Sequence, residues 1–510
     1  MVTEVELFAT SPRLFLGLLS TKLFNDAVNA GLVDTLAATM DIGVRSMRGA
    51  DAIATLLDHP AISVSTIVNI FNNTNIQDPQ IASILNSPSI SSAKAASIIN
   101  DPNLSISKAV SIFNDPNLSA SKAASIFDDT NLLASKAASI LSNPNLSISK
   151  VTSILNNPNI SNAKVVSILN DPNWTATGDR TQAILYAMAD NGLFDRLVSI
   201  ICYGASSATI SANTTITAGV NRYDTLTINS GVTLTVNTAP RLIVANTINN
   251  AGTITTTDSV AGGAPGASGA GAGGVGRGGI IIFANYLVTG NISANGGAGG
   301  NGSTVGASAP GGAGTDGILW EISGYPAGTG GNGGGSGGAG RKNAGGGGGG
   351  ASAYAGGAGG SATVTTFTSP TSLLAELFKA LADWWIVNVL NKTPTTTKSL
   401  PDLKGSGGGG GGAYYANCAG GGGGGGGGEI IIYGTSITAG AINATGGNGG
   451  NGGASGPYDA GGGGGGGGLI YVCYKSLIGT FSFNVTGGAR GTGDANGTAG
   501  TAGSAVTFAV

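Results

Sequence analysis

Histidine occurs once in this chain, cysteine three times, and charged residues make up only 10% of it, against roughly 25% in ordinary soluble domains. One histidine rules out an H-E-x-x-H zinc site. Three widely spaced cysteines, Cys202, Cys418 and Cys473, rule out a disulfide framework or a four-thiolate zinc site. They leave open a Cys418–Cys473 bridge, although Cys473 in the strand-like LIYVCY reads first as a small core residue. The net charge is −3 with no basic cluster, so the counterion release that drives nucleic-acid binding is missing and no nucleic-acid partner is expected. No run of 18 apolar residues exists, so no transmembrane span is expected. Glu4 and Glu6 stand where a signal peptide needs positive charge, and Pro12-Arg13 interrupts the apolar stretch, so no conventional signal peptide is expected. Ser, Thr, Asn and Gly replace the absent charge. Such a surface bonds to water without ionising and tolerates acid or salt.

Catalytic patterns are absent too. G-x-G-x-x-G matches abound only because glycine does, and none lies between a strand and a helix with an acid about twenty residues on. Gly340-Arg341-Lys342 is not a phosphate loop. The carboxylates after residue 206 are sparse and unpaired, and Asp459 and Asp494 are too isolated to argue a calcium site. No catalytic, cofactor-binding or metal residue is assigned, and the chain is not expected to be an enzyme. N-x-[ST] sequons such as Asn103, Asn117, Asn145, Asn443 and Asn484 occur, several of them by-products of a repeat.

That repeat runs from Leu56 to Trp174 with a period of 14 residues. LLDHPAI (56–62), IFNDPNL (112–118) and ILNDPNW (168–174) are in register, with S-x-S-K-A-A-S or a relative between. Ser105 is suited to an N-cap. Ile106, Ala109, Val110 and Phe113 then recur at helical spacing, and Asn114-Asp115 end the helix before Pro116. So short a helix is unstable alone and must stack on its neighbours as an α-solenoid. Lys94, Lys108, Lys122, Lys136, Lys150 and Lys164 form one column, expected along a solvent edge. His59 occupies the column of Asp101 and Asp115, as a turn residue. Residues 1–55 read as a helical cap or anchor, 56–178 as the helical repeat and 179–205 as closing helices.

From about Ser206 the period changes to two, as in DTLTINSGVTLTV, and 206–260 reads as a β-solenoid-like neck. The chain holds 92 glycines, dense from Gly262 onward. Three segments there share one plan of glycine tract, β-branched run, polar turn and apolar triplet: 271–302, 421–452 and 461–493. Polyglycine in an extended three-residue helix has no internal hydrogen bonds, so each backbone group needs an outside partner. Parallel tracts without side chains supply such partners by forming a lattice, and linkers do not carry IIIFANY and IIIYGTS in register beside each tract. The expectation for 261–510 is a glycine-rich polyglycine-II/β domain, with an inserted amphipathic helix at 371–393. The fold class is thus multidomain α + β. Between tracts lie aromatic segments with Tyr325, Tyr354, Tyr414, Tyr415 and Tyr458, placed to be contact residues at loop tips.

Glycine tracts alternating with aromatic-tipped loops resemble the glycine-rich distal adhesins on the tail fibres of tailed phages, over about 261–510. That resemblance implies a scaffold of packed polyglycine helices whose intervening loops touch a host receptor, through the five tyrosines named above. The Asn-, Ile- and Ser-rich, charge-poor repeat resembles in style the structural or fibre proteins of viruses infecting thermoacidophilic archaea. The combined expectation is a fibre, spike or turret protein on the virion surface. It would bind host glycan or protein, join other virion proteins through its N-terminal region, and form a homo-oligomer. The alternatives are a cellular surface adhesin or sheath protein, and a polysaccharide-degrading β-solenoid enzyme.

Overall fold

A computed structural model describes residues 4–10, 20–45, 49–174, 178–190, 194–217, 220–237, 241–256, 274, 279–301, 317–318, 362–363, 420–453, 460–493, 496–500 and 502–509. These fall into two compact units, one ending at Ile200 and one beginning at Ile201. The protein is mixed α and β: helices form the first unit and two parallel sheets organise the second. The proposed inserted helix at 371–393 and Cys418 lie outside the described residues.

The helices before the repeat are α1 (Glu4–Thr10), α2 (Thr21–Asn29), α3 (Val33–Val44) and α4 (Gly49–Asp58). The repeat contributes α5 (Val64–Phe71), α6 (Asp78–Asn86), α7 (Ser92–Asn100), α8 (Ile106–Asn114), α9 (Ala120–Asp128), α10 (Ala134–Leu141), α11 (Ile148–Leu155) and α12 (Asn162–Leu169). Two more follow, α13 (Gly178–Asp190) and α14 (Phe194–Cys202). In α8 the Ser105 hydroxyl caps the helix by accepting from Lys108 N at 3.1 Å. Ala109, Val110, Ile112 and Phe113 are buried, and Leu118 in the following turn is buried with them. Asp115 closes that turn by accepting from Asn117 N at 2.8 Å. His59 does the same through Nδ1, which accepts from Ala61 N at 3.2 Å. Each helix packs on the second one along the chain, α4 on α6, α6 on α8, and α5 on α7, α7 on α9. Burying one apolar stripe against two neighbours stabilises helices that propensity alone would not.

The lysine column does not face solvent. Each half-buried ammonium instead reaches back two units to a turn carbonyl. Lys94 donates to Ile62 O, Lys122 to Ile90 O and Lys136 to Leu104 O, each at 2.6 Å. Lys150 donates to Leu118 O, and Lys164 to Leu132 O at 2.5 Å. Arg180 and Arg196 continue the series onto Leu146 O and Ile160 O, both at 2.5 Å. Only Lys108 departs from it, pairing with the Asp78 carboxylate at 2.6 Å. The physical reason is the turn itself, whose carbonyls have no partner in their own helix, while a four-carbon stem spans the intervening unit. Burial pushes the ammonium groups of Lys94, Lys122, Lys136, Lys150 and Lys164 below their ordinary value. The carbonyl bonds act in the opposite sense, favouring the charged form.

A second ladder runs beside the first. Ser91 N and Oγ donate to Asp58 Oδ1, Ser119 to Asn86 Oδ1 and Ser161 to Asp128 Oδ1. Asp34 and Asp51, ahead of the repeat, accept likewise from Asn73 and Ser87.

The strands of the second unit begin with β1 (Ala208–Ile210), β2 (Thr214–Ile216), β3 (Val220–Ile228), β4 (Thr233–Val236), β5 (Leu242–Asn250) and β6 (Thr253–Thr256). Next come β7 (Ile280–Val288), β8 (Asn291–Ser293) and a separate short pair, β9 (Gly317–Ile318) with β10 (Ala362–Thr363). The last are β11 (Glu429–Thr438), β12 (Ala441–Asn443), β13 (Leu469–Ile478), β14 (Ser482–Asn484) and β15 (Ser504–Ala509). One sheet has the order β1-β3-β5-β7-β11-β13-β15 and the other β14-β12-β8-β6-β4-β2, all parallel. Apart from the β9–β10 pair, the chain alternates between the two sheets.

Their facing sides form one core. Ile243, Ile282, Ile432 and Val472 are successive register partners in the first sheet, and Leu234, Ile254, Ile292 and Ile442 in the second. At one corner between sheets Asn250, fully buried, donates to Thr289 O at 2.6 Å and accepts from Gly252 N at 3.1 Å. Gly290 turns that corner with φ +49°, where a Cβ would strike Asn250 O.

Two substitutions test the helical ladders. Lys136→Met strips the Leu104 carbonyl of its donor and takes one of two donors from the Asp101 carbonyl, which Leu104 N also bonds, and should cost about 1–3 kcal/mol in chemical denaturation followed by helical circular dichroism. Lys136→Arg should restore most of it, and an unchanged midpoint for the Met variant would contradict the assignment. Leu133 is an N-cap without a side-chain bond and is 58% exposed. Leu133→Ser should therefore stabilise the helical unit by about 0.5–2 kcal/mol.

Candidate binding surface

Between the strands of the second unit run six extended, glycine-rich segments: 294–301, 420–428, 444–453, 460–468, 485–493 and 496–503, of which Thr501 lies outside the described residues. None forms hydrogen bonds within itself in the manner of a helix. Instead their amides donate to neighbouring segments, with a period of three along each pair. Gly422, Gly425 and Gly428 donate to Gly300, Gly297 and Ala294, and Gly421, Gly424 and Gly427 to Ala460, Gly463 and Gly466, at 2.7–2.9 Å. Gly462, Gly465 and Gly468 donate to Gly450, Gly447 and Ala444, and Gly447 and Gly450 to Gly425 and Gly422, at 2.6–2.9 Å. Descending numbers on one side of a pair and ascending ones on the other mark antiparallel neighbours; matched increments mark parallel ones. The first, third and fifth segments are mutually parallel, as are the second, fourth and sixth, and the two rows oppose each other.

Spacing this tight leaves no room for a Cβ. One placed on Gly450 would fall on Gly300 O, and one on Gly465 on Gly425 O, in each case inside 3.0 Å. Residues 420–428 and 461–468 are buried throughout, and both runs are glycine apart from none of their positions. The row made by the first, third and fifth segments is different, because residues spaced by three there reach solvent: Asn295, Ala298 and Asn301, then Asn448 and Asn451, then Thr486, Ala489 and Thr492, with Arg490 and Gly493 beside them. The asparagine side chains on this face cross-link it. Asn301 Oδ1 accepts from Asn451 N, Asn451 Oδ1 from Thr492 N and Oγ1, and Asn448 Oδ1 from Ala489 N, at 2.8–2.9 Å.

The last two segments are less obvious in the sequence than the unbroken glycine runs at 421–428 and 461–468. The signal was present at a lower density. Gly488 and Gly491, then Gly497, Gly500 and Gly503, recur every third residue, and each would drive a Cβ into a neighbouring carbonyl.

This order fixes where the connections emerge. One end of all six segments continues into strands: Ser293 precedes the first, Glu429 follows the second, and Leu469 and Ser504 follow the fourth and sixth. At the other end the chain leaves at Asn301 and returns at Gly420, leaves at Gly453 and returns at Ala460, and leaves at Gly493 and returns at Asn496. The three departures are neighbours, tied by the Asn301–Asn451–Thr492 bonds and by Gly452 N to Thr492 O at 2.8 Å. Tyr325, Tyr354, Tyr414 and Tyr415 belong to the first connection and Tyr458 to the second, and all five lie outside the described residues. What the described residues establish is that both connections start from the same end.

Among the described residues no group of three or more His, Cys, Asp or Glu is placed to hold a metal. Cys473 is a buried free thiol, as is Cys202, and burial pushes both up to about 12, far from a reactive thiolate at neutral pH. No helix among the described residues is long and apolar enough to cross a membrane. No protein-family model, curated protein or solved structure matches the chain.

Gly450→Ala and Gly465→Ala should each destabilise the second unit by about 1–3 kcal/mol or more, since only backbone lies where the methyl must go. Ala489→Ser, on the exposed face, should change stability by less than about 0.5 kcal/mol. Equal effects at all three positions in thermal denaturation would contradict the packing described.

Proposed function

We propose that this protein is a structural component of a virion surface, a fibre, spike or turret, that attaches to a host-surface glycan or protein. On this reading the first unit is an α-solenoid that spaces or anchors the molecule to other virion proteins. The two sheets are a β-solenoid, and the six segments are a polyglycine-II lattice that holds recognition loops at its free end. The observation that carries the reading is the common origin of the connections at Asn301/Gly420 and Gly453/Ala460. Five tyrosines distributed over 134 positions of sequence, from Tyr325 to Tyr458, thereby belong to loops rooted side by side on a rigid base. A base whose amides are bonded laterally at regular intervals costs little ordering entropy on binding, which is the advantage of a preorganised platform. Tyrosine suits the contact because it offers a large amphipathic surface with few rotatable bonds.

Immunogold labelling of virions and of uninfected cells tests the location: label confined to virions supports the proposal, and label on uninfected cells favours a cellular adhesin or sheath protein. Purified protein should bind host envelope preparations. Replacing Tyr325, Tyr354, Tyr414, Tyr415 and Tyr458 together by Ala should weaken that binding at least tenfold, on the order of 1.4 kcal/mol or more, without altering circular dichroism. Unchanged binding would remove the tyrosines from the contact. Release of oligosaccharides from the envelope would instead favour a polysaccharide-degrading enzyme.

A further inference from the structure

A chain extended with three residues per turn faces its surroundings in three directions, one residue in three to each. In the fourth glycine-rich segment, Gly462, Gly465 and Gly468 donate to the third segment, and a Cβ on any of them would fall on the second. Gly464 donates to the sixth segment, and its Cβ would fall on the fifth. Two neighbours beside the segment and two in the opposing row are thereby accounted for. Gly463 and Gly466 are directed at none of them, and their amides have no partner among the described residues. In the second segment the residues in this third position are Gly423 and Gly426. Their amides likewise lack a partner among the described residues, while Gly422 and Gly425 bond the first segment and Gly421 and Gly424 the fourth.

The third position records what lies outside the array. In the row of the first, third and fifth segments it carries a side chain each time: Asn295, Ala298 and Asn301, then Thr445, Asn448 and Asn451, then Thr486, Ala489 and Thr492. In the sixth segment it is Thr498 and Thr501. In the second and fourth segments it is glycine, and Gly423, Gly426, Gly463 and Gly466 are all buried. None of the bonds between the six segments requires glycine there. A buried amide needs an acceptor. Glycine kept where alanine would reduce the entropy of the unfolded chain signals the close approach of another backbone.

We propose that a third row of extended chain covers this face of the second and fourth segments. Its occupant is the chain's own stretch 302–419, through the unbroken runs Gly345–Gly350 and Gly407–Gly412. An occupant that meets bare backbone this closely must itself lack side chains. These two runs are the longest unbroken glycine runs in the chain after 420–428 and 461–468. Six residues at 3.1 Å each extend about 19 Å, most of the length of an eight-residue segment. Connectivity selects the same stretch. It leaves the array at Asn301 and re-enters it at Gly420, where the covered second segment begins. Residues 413–419 alone separate Gly412 from that segment, much as 454–459 separate the third from the fourth. Reversal over 413–419 lays 407–412 antiparallel to 420–428, as consecutive segments of the array already run, and places Tyr414 and Tyr415 in the turn. The proposal concerns packing alone and does not depend on what the protein binds.

The full chain tests it in two ways. In thermal denaturation, Gly463→Ala should lower the melting temperature of the second unit as far as Gly465→Ala does. A Gly463→Ala variant as harmless as Ala489→Ser overturns the close cover. Amide hydrogen exchange then identifies the occupant. Gly463, Gly466 and both runs, 345–350 and 407–412, should exchange as slowly as β11, at every protein concentration. Gly348→Val and Gly410→Val together should speed exchange at Gly463 and Gly466 by about tenfold or more, with β7 and β11 unchanged. Should that double variant unfold the strands as well, exchange in the unaltered chain still decides, because free-peptide rates at 345–350 and 407–412 overturn the proposal. Protection of Gly463 that falls on dilution overturns it in favour of a second copy of the chain. Protection indifferent to both valines assigns the face to another occupant and overturns it too.

Discussion

Backbone groups that leave water have to be paired, and in this molecule the pairing is made between successive copies of a repeating unit. The two compact units solve the problem with opposite means. In the helical unit the carbonyls lacking a helical partner sit in the turns, and, Lys108 apart, a long cationic side chain from two units ahead bonds one turn after another: Lys136 to Leu104, Lys164 to Leu132, Arg196 to Ile160. In the glycine-rich segments no side chain intervenes at all. Gly425 bonds Gly297 directly, and Gly447 bonds Gly425. The first solution needs a side chain of one length in one column; the second needs its complete removal wherever a neighbour lies. Both make each stretch depend on its neighbours within its own unit.

That dependence links fold to position. Strands of the first sheet pair in register through Ile282, Ile432 and Val472, and because every segment of the glycine-rich array starts or ends at a strand of one of the two sheets, the array inherits their spacing. Alternating direction then delivers the connecting segments to one end. A recognition surface built in this way would draw its rigidity from backbone bonds and its chemistry from loops, two properties that sequence variation can change separately.

Much of the helical unit is readable from its residues. The period, the Ser105 cap, the Asp115 turn and the turn role of His59 all follow from local chemistry that a single unit contains. The lysine column reads as a solvent edge for a physical reason: its partner carbonyls lie 32 residues earlier in sequence, and nothing within one unit signals them. In the second half the strand runs announce themselves through β-branched residues. The segments 485–493 and 496–503 do not stand out, because glycine is required only at the third of the positions that faces a neighbour, and Thr, Ala and Arg fill the rest. Nor does composition reveal that Asn301, Asn451 and Thr492 are adjacent, since the order of six segments in two rows is a property of the assembled array. The five tyrosines stand out by residue type, by their place between glycine tracts and by the resemblance to fibre adhesins, and their surroundings lie outside the described residues.

Amide hydrogen exchange of the intact chain, read at Gly424, Gly447 and Gly465, tests the central claim most directly. These amides donate to Gly463, Gly425 and Gly447 across three different pairs of segments. If the glycine-rich segments are held by mutual backbone bonds, exchange there is slowed as strongly as in β7 and β11, and it accelerates in step with them under denaturant. Exchange at the rate of a free peptide, while the strands remain protected, would contradict the account.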